Sequence, residues 1–322
     1  MCFISVLVSR LMMSNTRIKV IGVGGSGSNA ISRMMKRKIR GVELIAMNTD
    51  VQDLKKTSAH LKLWIGKKLT QGLGTGMDPK QGQRAALEQK DEISEVLKGS
   101  DMVFVTYGAG GGTGTGAGPV IAEISKDIGA LTVAVVTTPF SFEGGFRREI
   151  AKAGIETLKE KVDALISIPN DNLQLVLDPD ISLIEAFWAC DEVLYQAVRG
   201  ISDLIVLPGI VNVGFADILS IMKNSGKALF GIGKAKGDNR AQEAARRAIN
   251  SPLLDISIEQ AKGVLFNVSG GPDISLYEID TAAKFITEKA SPRAKVIFGA
   301  VQDEKLPKGE IKVIVIATKF AP

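Results

Sequence analysis

The residues with the clearest chemical potential form a glycine-rich turn near the start of the chain. Gly22–Asn29 reads GVGGSGSN and matches G-x-G-x-x-G, directly after an apolar run and before an amphipathic one. Glycines at such a turn let the backbone approach a phosphate, and the following helix offers unpaired N–H donors at its N-terminus. A dinucleotide would suit the same pattern, with Asp50 as the acid that binds its ribose. The turn therefore predicts a phosphate group without naming the molecule that carries it.

A second glycine cluster narrows the choice of ligand. Gly108–Gly116 reads GAGGGTGTG, follows the apolar run DMVFVTY and opens another predicted helix. One dinucleotide does not need this second turn, which weighs against a dinucleotide-dependent oxidoreductase. Glycines lose more backbone entropy on folding than other residues. Such a cost is explained if the N–H groups of the turn must wrap around an anion. Two such turns at the carboxyl edge of one sheet can converge on a single triphosphate.

A third cluster, Gly72–Gly76, is expected to close over the terminal phosphate. The sequence holds no G-x-x-x-x-G-K-[ST] motif, so it does not belong to the P-loop class of NTPases. We therefore expect backbone N–H groups and Mg²⁺, rather than a P-loop lysine, to hold the phosphates.

The elements that must position these turns follow an α/β pattern. From Arg17 to about Pro169, short β-branched runs alternate with amphipathic segments, as in a Rossmann-like parallel sheet covered by helices on both faces. The strand candidates are IKVIGV, VELIAMN, DMVFVTY, LTVAVVT and DALISIP. The first half of the chain is thus predicted to be a nucleotide-binding domain.

A long central helix is predicted to follow this domain. Ser182 and Glu185 have the spacing of a capping box, so a helix should run from Ser182 to about Leu204 and end before Pro208. Beyond it, two helical segments alternate with ALFGIGKA, GVLFNVS, AKVIFGA and IKVIVIAT, which predicts a smaller α/β C-terminal domain. The predicted divisions are an N-terminal extension (1–16), the nucleotide-binding domain (17–181), the central helix (182–207) and the C-terminal domain (208–322).

Six short segments make the comparison with a known family specific. They are NTD at 48–50, GLGTG at 72–76, GGGTGTG at 110–116, TVAVVTTPFSFEG at 132–144, IPND at 168–171 and SPLL at 251–254. Together they resemble FtsZ, the bacterial homologue of tubulin, whose segments come in the same order. The resemblance extends from about Arg17 to Thr318. It implies the tubulin/FtsZ fold and a GTPase domain that uses GTP, GDP and Mg²⁺.

The resemblance also assigns the residues that would contact the phosphates. They lie in the three glycine-rich turns and are Gly24, Gly25, Ser26, Gly27, Ser28, Asn29, Gly74, Thr75, Gly111, Gly112, Thr113 and Gly114. Ser26 and Ser28 stand in a turn that is often all glycine in the family, but their hydroxyls can still donate to phosphate. Tyr107 is bulkier than the small residue expected there.

A candidate guanine-binding pair lies on the predicted central helix. Phe187 and Asp191 are four residues apart and share one face, so the ring can stack on a purine while the carboxylate accepts from the N1–H and N2–H₂ groups of guanine. Such a bond can discriminate against other bases by as much as ~10⁴. The spacing alone equally describes a core aromatic and a surface acid. The resemblance implies the guanine-binding role and places Glu143 and Arg147 by the ribose and phosphates, with Asn170 nearby.

The resemblance further implies that GTP hydrolysis depends on a loop from a neighbouring subunit. That loop has the family pattern N-x-D-x-x-D, in which Asn212 and Asp217 match here while Gly214 replaces the first Asp. We expect slower hydrolysis with polymerisation retained, in head-to-tail filaments of the chain with itself. Asp217 as the N-cap of the next helix is the alternative interpretation of that residue. A GTP-binding structural filament with little or no hydrolysis is the alternative function.

The composition gives no support for a nucleic-acid-binding, disulfide-bonded or metal-binding protein. The 40 basic and 35 acidic residues leave a net charge of +5, which gives no reason to expect a nucleic-acid partner. Cys2 and Cys190 are the only cysteines and stand far apart, without a metal-ligand cluster near either. A reducing cytoplasm is therefore expected, with no protein-built metal site.

The two ends of the chain bear on localisation. The opening MCFISVLVSRLMM is interrupted by Arg10 and lacks a cleavage site, so an N-terminal extension is expected rather than a signal peptide, and no direct membrane insertion is expected. The disordered linker and tether peptide that usually end FtsZ proteins are absent before Pro322. The resemblance implies the division septum and other division proteins as partners if full function is retained. His60, the only histidine, is expected at the surface.

Overall fold

The computed structural model describes residues 16–175, 177–207, 209–253, 258–303 and 306–320. Cys2 and the predicted N-terminal extension up to residue 15 lie outside these ranges. The strands of the described residues are β1 (Ile18–Val23), β2 (Val42–Asn48), β3 (Leu61–Trp64), β4 (Met102–Gly108), β5 (Leu131–Thr138), β6 (Ala164–Pro169), β7 (Gly226–Lys236), β8 (Ala261–Gly270), β9 (Lys295–Gln302) and β10 (Glu310–Phe320). Every strand predicted from the sequence is confirmed, and β3 is one that the sequence did not indicate.

Helices connect these strands and cover both faces of the sheet. They are α1 (Gly24–Arg37), α2 (Val51–Lys56), α3 (Lys67–Thr70), α4 (Pro79–Glu88), α5 (Lys90–Leu97), α6 (Gly112–Asp127), α7 (Gly145–Lys161), α8 (Asn170–Leu173), α9 (Leu183–Val206), α10 (Phe215–Met222), α11 (Arg240–Ile249) and α12 (Leu276–Lys289). Short 3₁₀ turns occur at Ser141–Glu143 and Ile258–Gln260. None of the helices in the described ranges combines the length and apolar character needed to cross a membrane.

The N-terminal part of the sheet is parallel and buried on both faces. Its strands run in the order β3-β2-β1-β4-β5-β6. Alternate residues of β4 enter two different cores: Phe104 packs in the core beneath α1 and α9, whereas Val105 and Tyr107 pack in the core beneath α4 to α7. Because helices exclude water from both faces, these strands read as nearly continuous apolar runs.

The strand order reverses between β1 and β4, which lie side by side although β2 and β3 intervene in sequence. In open α/β sheets such a reversal leaves a crevice at the carboxyl ends of the strands. The turns Gly24–Asn29 and Gly108–Gly116 follow β1 and β4 at this edge. Leu73, in the third glycine turn, bridges to Asp50 just beyond β2. The fold thus brings all three turns to one edge.

The central helix α9 begins as the sequence predicts. The Ser182 hydroxyl accepts a bond from the Glu185 N–H (3.3 Å), and the Glu185 carboxylate accepts one from the Ser182 N–H (3.1 Å). Leu194, Val198 and Ile201 form a buried stripe at helical spacing. This stripe packs into the core that lies on the same face of the sheet as α1.

The C-terminal strands extend the same sheet in the order β7-β10-β8-β9. β10 is antiparallel to β7 and β8, and α11 and α12 pack on one face around an apolar core. The junction with the parallel part is short, because β6 pairs with β7 only from Ala164–Gly226 to Ile166–Ala228. The α/β fold class with a smaller C-terminal unit is confirmed. The boundaries at 181, 207 and 208 stay predictions.

Replacing Ser182 by Ala should lower the free energy of unfolding by about 1 kcal/mol, since it leaves an N–H group of the first turn of α9 without its acceptor. Urea unfolding followed by circular dichroism measures the change. Ser182→Asp is the matched control, because an aspartate still caps the helix and should stay close to the wild type. Equal stabilities of the two variants would contradict a role for this cap.

Candidate nucleotide site

The first glycine turn and the second are joined directly. α1 starts at Gly24, which has a positive φ of 70° that glycine adopts without strain. The Ser26 hydroxyl accepts a bond from the Gly108 N–H at 2.7 Å. A Cβ atom on Gly24 would lie 3.0 Å from the Gly114 amide nitrogen, so the first turns of α1 and α6 are in contact. Ser26, which stands where the family often has glycine, therefore links the two turns.

Three threonine hydroxyls tie the third turn to the other two. The Thr113 hydroxyl lies 2.7 Å from the Thr49 hydroxyl and 3.2 Å from the Thr75 hydroxyl. Thr49 follows β2, Thr75 belongs to the third glycine turn and Thr113 to the first turn of α6. All three side chains are buried. This chain of hydroxyls fixes the relative positions of the three loops.

Close packing explains most of the glycines in α6. A Cβ atom on Gly112 would lie 2.7 Å from the Asp78 amide nitrogen, one on Gly116 would lie 2.7 Å from the Gln83 amide nitrogen, and one on Gly118 would lie 2.8 Å from Cζ of Tyr107. Among the glycines from Gly110 to Gly118, only Gly111 would have no neighbouring atom within 4 Å of an added Cβ. The sequence pattern predicted that these glycines bind an anion. In the structure, the anion argument applies to the open turn, and steric contact accounts for the glycines inside the helix.

The two helix starts supply the donors for an anion. The first N–H groups of an α-helix have no intrahelical acceptor, and they carry the positive end of the helix dipole. Gly24–Ser28 and Gly111–Thr113 provide two such sets at adjoining positions, since α1 and α6 touch at their first turns. Backbone groups at both sites can therefore bind one polyphosphate together.

Phe187 and Asp191 line a cleft of about 600 Å³ with Asn29, between α1 and α9. The sequence predicted these three residues as neighbours in one site, and the structure brings them together. Burial raises the pKa of Asp191 to about 6, although the nearby Arg33 guanidinium opposes that rise. The carboxylate thus sits at the edge of the cleft in a largely desolvated position.

Arg33 is a residue of this cleft that the sequence analysis missed. Its guanidinium lies 3.5 Å from the Asp191 carboxylate and 5.2 Å from the centre of the Trp188 ring. Arg33 stands four residues after Asn29 on α1, so helical spacing from a predicted site residue was the signal that could have found it. Arg33 is therefore the ion-pair partner of Asp191 in this cleft.

Glu143 and Arg147 form an ion pair at 3.1 Å beside the same region. Glu143 also accepts a bond from the Phe140 N–H at 2.8 Å, and the Phe140 ring meets Phe187 edge-on with centroids 5.8 Å apart. Arg147 packs against the second glycine turn, where a Cβ on Gly110 would lie 2.7 Å from the Arg147 carbonyl. The structure therefore places the predicted ribose and phosphate residues between the aromatic pair and the glycine turns.

Buried polar atoms without a partner indicate that the site suits a polar ligand. Of the eight buried side-chain atoms that have no hydrogen-bond partner among the described residues, three are Ser28 Oγ, Arg147 Nε and Asn170 Oδ1. Each belongs to the predicted nucleotide-contacting set. Since buried polar groups are nearly always hydrogen-bonded in folded proteins, such atoms call for a ligand or water.

Two carboxylates lie near the glycine turns: Asp50 caps a helix, and Asp53 has a raised pKa. Asp50 caps α2 by accepting from the Gln52 and Asp53 N–H groups, at 2.9 and 3.0 Å, so its carboxylate is held as a cap. Asp53 accepts a bond from the Asn48 amide at 2.7 Å, and its pKa is raised by burial and by Asp50. Within the described ranges, no three His, Cys, Asp or Glu side chains form a metal-binding group. Mg²⁺ at this site would take most of its ligands from phosphate and water, as it usually does.

Asn212 and Asp217 lie at the opposite end of the molecule from this site. Both are exposed, in the segment that follows α9. Val206 at the end of α9 packs against Gly41, which precedes β2 at the amino edge of the parallel strands. From Asp191 to its last residue, Val206, α9 rises through about 15 residue steps, or roughly 23 Å. One chain does not bring Asn212 and Asp217 to its own nucleotide cleft.

The local structure corrects one interpretation of Asp217. The N-cap of α10 is Gly214, and Asp217 is the third residue of the helix. The Asp217 carboxylate accepts a bond from the Gly214 N–H at 3.1 Å, which is the returning half of a capping box. Asn212 accepts a bond from the Gly209 N–H at 2.7 Å. The exposed loop is therefore ordered by its own side chains.

Family models match most of the chain. The Tubulin/FtsZ family GTPase domain matches residues 17–178, and the FtsZ family C-terminal domain matches residues 226–321. The first match contains all three glycine turns and the Glu143–Arg147 pair, and the second begins with β7.

Solved structures agree with these matches. A structure of an empty FtsZ dimer from M. jannaschii is 46% identical, covers 98% of this chain and 91% of its own, and superposes with a TM-score of 0.93. A mutant of FtsZ from M. jannaschii is 45% identical, with coverages of 98% and 95% and a TM-score of 0.92. CetZ2 from Haloferax volcanii, solved as a GTPγS-bound protofilament, is 22% identical over 94% of this chain and 92% of its own, with a TM-score of 0.77, and shows the fold alone. The glycine turns, the central helix and these matches over nearly the whole chain agree: it belongs to the tubulin/FtsZ family of GTPases, as a member of the FtsZ type.

Proposed function

We propose that this chain is a GTP-dependent, self-polymerising cell-division protein that hydrolyses GTP at the contact between successive subunits of a head-to-tail filament. The observation that supports this most strongly is the distance between the two candidate sites. The nucleotide cleft lies at one end of α9, whereas Asn212 and Asp217 are exposed beyond its other end. A site that needs both must be completed by a second molecule.

Nucleotide binding would divide between two parts of the cleft. Guanine stacks on Phe187 and donates its N1–H and N2–H₂ groups to Asp191, replacing Arg33 as the partner of that carboxylate. The triphosphate lies across the first turns of α1 and α6, where unpaired N–H groups converge. Mg²⁺ bound to the phosphates neutralises part of their charge when present.

Hydrolysis then requires a group that orients water in line with the terminal phosphate. We assign this role to Asp217 of the adjoining subunit, with Asn212 beside it. Asp217 is exposed and carries an ordered carboxylate at the start of α10, so it can enter the neighbour's cleft without unfolding its own loop. Because the contact joins two different faces, repeating it produces a filament, at the division septum if the chain acts as FtsZ proteins do.

The second candidate function is a GTP-binding filament with little hydrolysis. Gly214 favours it, because the loop holds one carboxylate at Asp217, and that carboxylate already accepts a bond from the Gly214 N–H. Less negative charge then faces the bound nucleotide than in a loop that carries both aspartates of the family pattern. GTP-dependent filaments without phosphate release would support this candidate over the first.

Mixing two inactive variants tests completion of the site between subunits. Asp217→Ala keeps its nucleotide cleft, and Asp191→Ala keeps its catalytic loop. Each alone should release little phosphate, whereas an equal mixture should recover up to about a quarter of the wild-type rate, the share of contacts that unite the two intact halves. Asp217→Ala should also bind GTP with nearly wild-type affinity, measured with a fluorescent GTP analogue.

The control for this mixture replaces Asp191→Ala by the double variant Asp191→Ala/Asp217→Ala. That mixture holds no intact loop and should stay inactive. Recovery with the double variant, or wild-type turnover by Asp217→Ala alone, would rule out the assignment of Asp217.

Gly214→Asp should raise phosphate release by about tenfold or more, since a positioned acid or base typically contributes at least ~10²-fold. The position has room: a Cβ there meets only the Asp217 carboxylate at 3.4 Å, and the backbone is extended with φ −78° and ψ 156°. Gly214→Asn, of the same size without charge, should leave turnover low. If both variants behave alike, the lost carboxylate is not what limits the rate.

Affinity for the guanine moiety should fall at acidic pH. Burial raises the pKa of Asp191 to about 6 in the ligand-free protein, and only the ionised carboxylate accepts both guanine donors. Binding is therefore at full strength above that pKa and weakens by ~tenfold for each pH unit below it. Guanosine is the probe, because it has no phosphate to titrate. Asp191→Asn should bind more weakly and with a flat profile, and a flat wild-type profile would show that Asp191 does not contact the base.

A further inference from the structure

Tyr107 is a buried aromatic residue immediately before the second glycine turn. Its side chain is inaccessible to solvent, and its hydroxyl has no hydrogen-bond partner among the described residues. A small residue was expected here from the family resemblance. The ring must therefore be present for its bulk, because its polar atom forms no bond that would justify burying it.

The ring lies directly beneath the first turns of α6. A Cβ on Gly114 would lie 3.1 Å from Cβ of Tyr107, and a Cβ on Gly118 would lie 2.8 Å from Cζ and 3.1 Å from Cδ1 of the ring. Gly114 and Gly118 are four residues apart and share one face of the helix. The backbone of α6 thus rests on the ring with no side chain between them.

The other phosphate-binding helix is seated differently. A Cβ on Gly27 of α1 would lie 2.7 Å from the Gly22 carbonyl carbon and 2.8 Å from the Thr106 carbonyl oxygen. α1 therefore rests on the backbone of β1 and β4, whereas α6 rests on an aromatic side chain of β4. At Gly114 and Gly118 one ring therefore separates α6 from β4, whereas at Gly27 the backbone of α1 meets the backbone of β1 and β4 directly.

We propose that Tyr107 is the positioning residue for the triphosphate: its ring holds the start of α6 at the height at which Gly111–Gly114 and Gly24–Ser28 contact the same phosphates. This inference rests on the proposed binding of GTP. The contact between Gly24 and Gly114, and the bonds from Thr113 to Thr49 and Thr75, transmit that height to all three loops. Phe187 and Asp191 lie on α9 and do not depend on it.

The experiment compares GTP with guanosine as probes. Gly118→Ala adds a methyl group that meets the ring, so it should displace α6 and weaken GTP binding by roughly tenfold, the usual scale of overpacking. Guanosine affinity should stay within about twofold of the wild type, because the base binds elsewhere. Tyr107→Leu removes Cε1 and Cζ, the two ring atoms nearest to a Cβ on Gly118. It should also weaken the binding of GTP but not that of guanosine.

The double variant Tyr107→Leu/Gly118→Ala gives the decisive comparison. The alanine methyl should occupy space that the ring has left, so GTP affinity should recover to within about threefold of the wild type rather than fall further. Tyr107→Phe keeps the ring and should retain GTP affinity. Gly263→Ala is the control for a tight glycine far from the site, since a Cβ there would lie 2.6 Å from the Thr318 hydroxyl. It should lower thermal stability without changing GTP affinity.

Two failures are distinguishable. Wild-type protein that binds neither GTP nor guanosine overturns the proposed function and this inference with it. Wild-type protein that binds GTP, combined with equal losses for GTP and guanosine in the single variants or with additive losses in the double variant, overturns the positioning role alone. Thermal unfolding of each variant identifies those that fold. If Gly118→Ala does not fold, Tyr107→Leu alone decides by its GTP-to-guanosine ratio.

Discussion

The structure depends on the distance that one helix keeps between two ends of the molecule. α9 carries Phe187 and Asp191 near its start and leads into the Asn212–Asp217 segment after its end. A capping box fixes where it begins, and a buried apolar stripe holds it against the sheet. Because the helix is 24 residues long, its two ends stay apart within one chain. Under the proposed function, chemistry that needs both ends requires two molecules, so hydrolysis would depend on assembly.

Close packing gives the nucleotide cleft its shape. The three glycine turns touch through glycine contacts and through the hydroxyls of Thr49, Thr75 and Thr113. The buried polar atoms without partners include Ser28 Oγ, Arg147 Nε and Asn170 Oδ1, all of which belong to the predicted nucleotide-contacting set. The threonine hydroxyls that join the turns are bonded to one another, whereas these three atoms are left for a nucleotide to engage. That contrast is what a preorganised binding site requires.

The sequence predicted the fold well because its signals were local and strong. Apolar runs predicted the long strands, and the Ser182–Glu185 spacing predicted the start of α9. The strand β3 escaped notice because Leu61–Trp64 is short and partly exposed, so it lacks an apolar pattern. Arg33 was missed because its partner Asp191 lies on α9, far away in sequence, although its spacing from Asn29 places both on one face of α1. The glycines of α6 were predicted to bind an anion, but their contact with the Tyr107 ring was not predicted. That contact arises from tertiary packing between β4 and α6. The roles of Asn212 and Asp217 and the domain boundaries stay predictions.

The central claim is that the active site is completed by a second subunit. The most direct measurement is phosphate release per molecule as a function of protein concentration, with GTP and Mg²⁺ in excess and sedimentation followed in parallel. The account predicts almost no release below a threshold concentration and a steep rise above it, together with pelleted polymer. A specific activity that is the same at every concentration, from protein that remains monomeric, would contradict it.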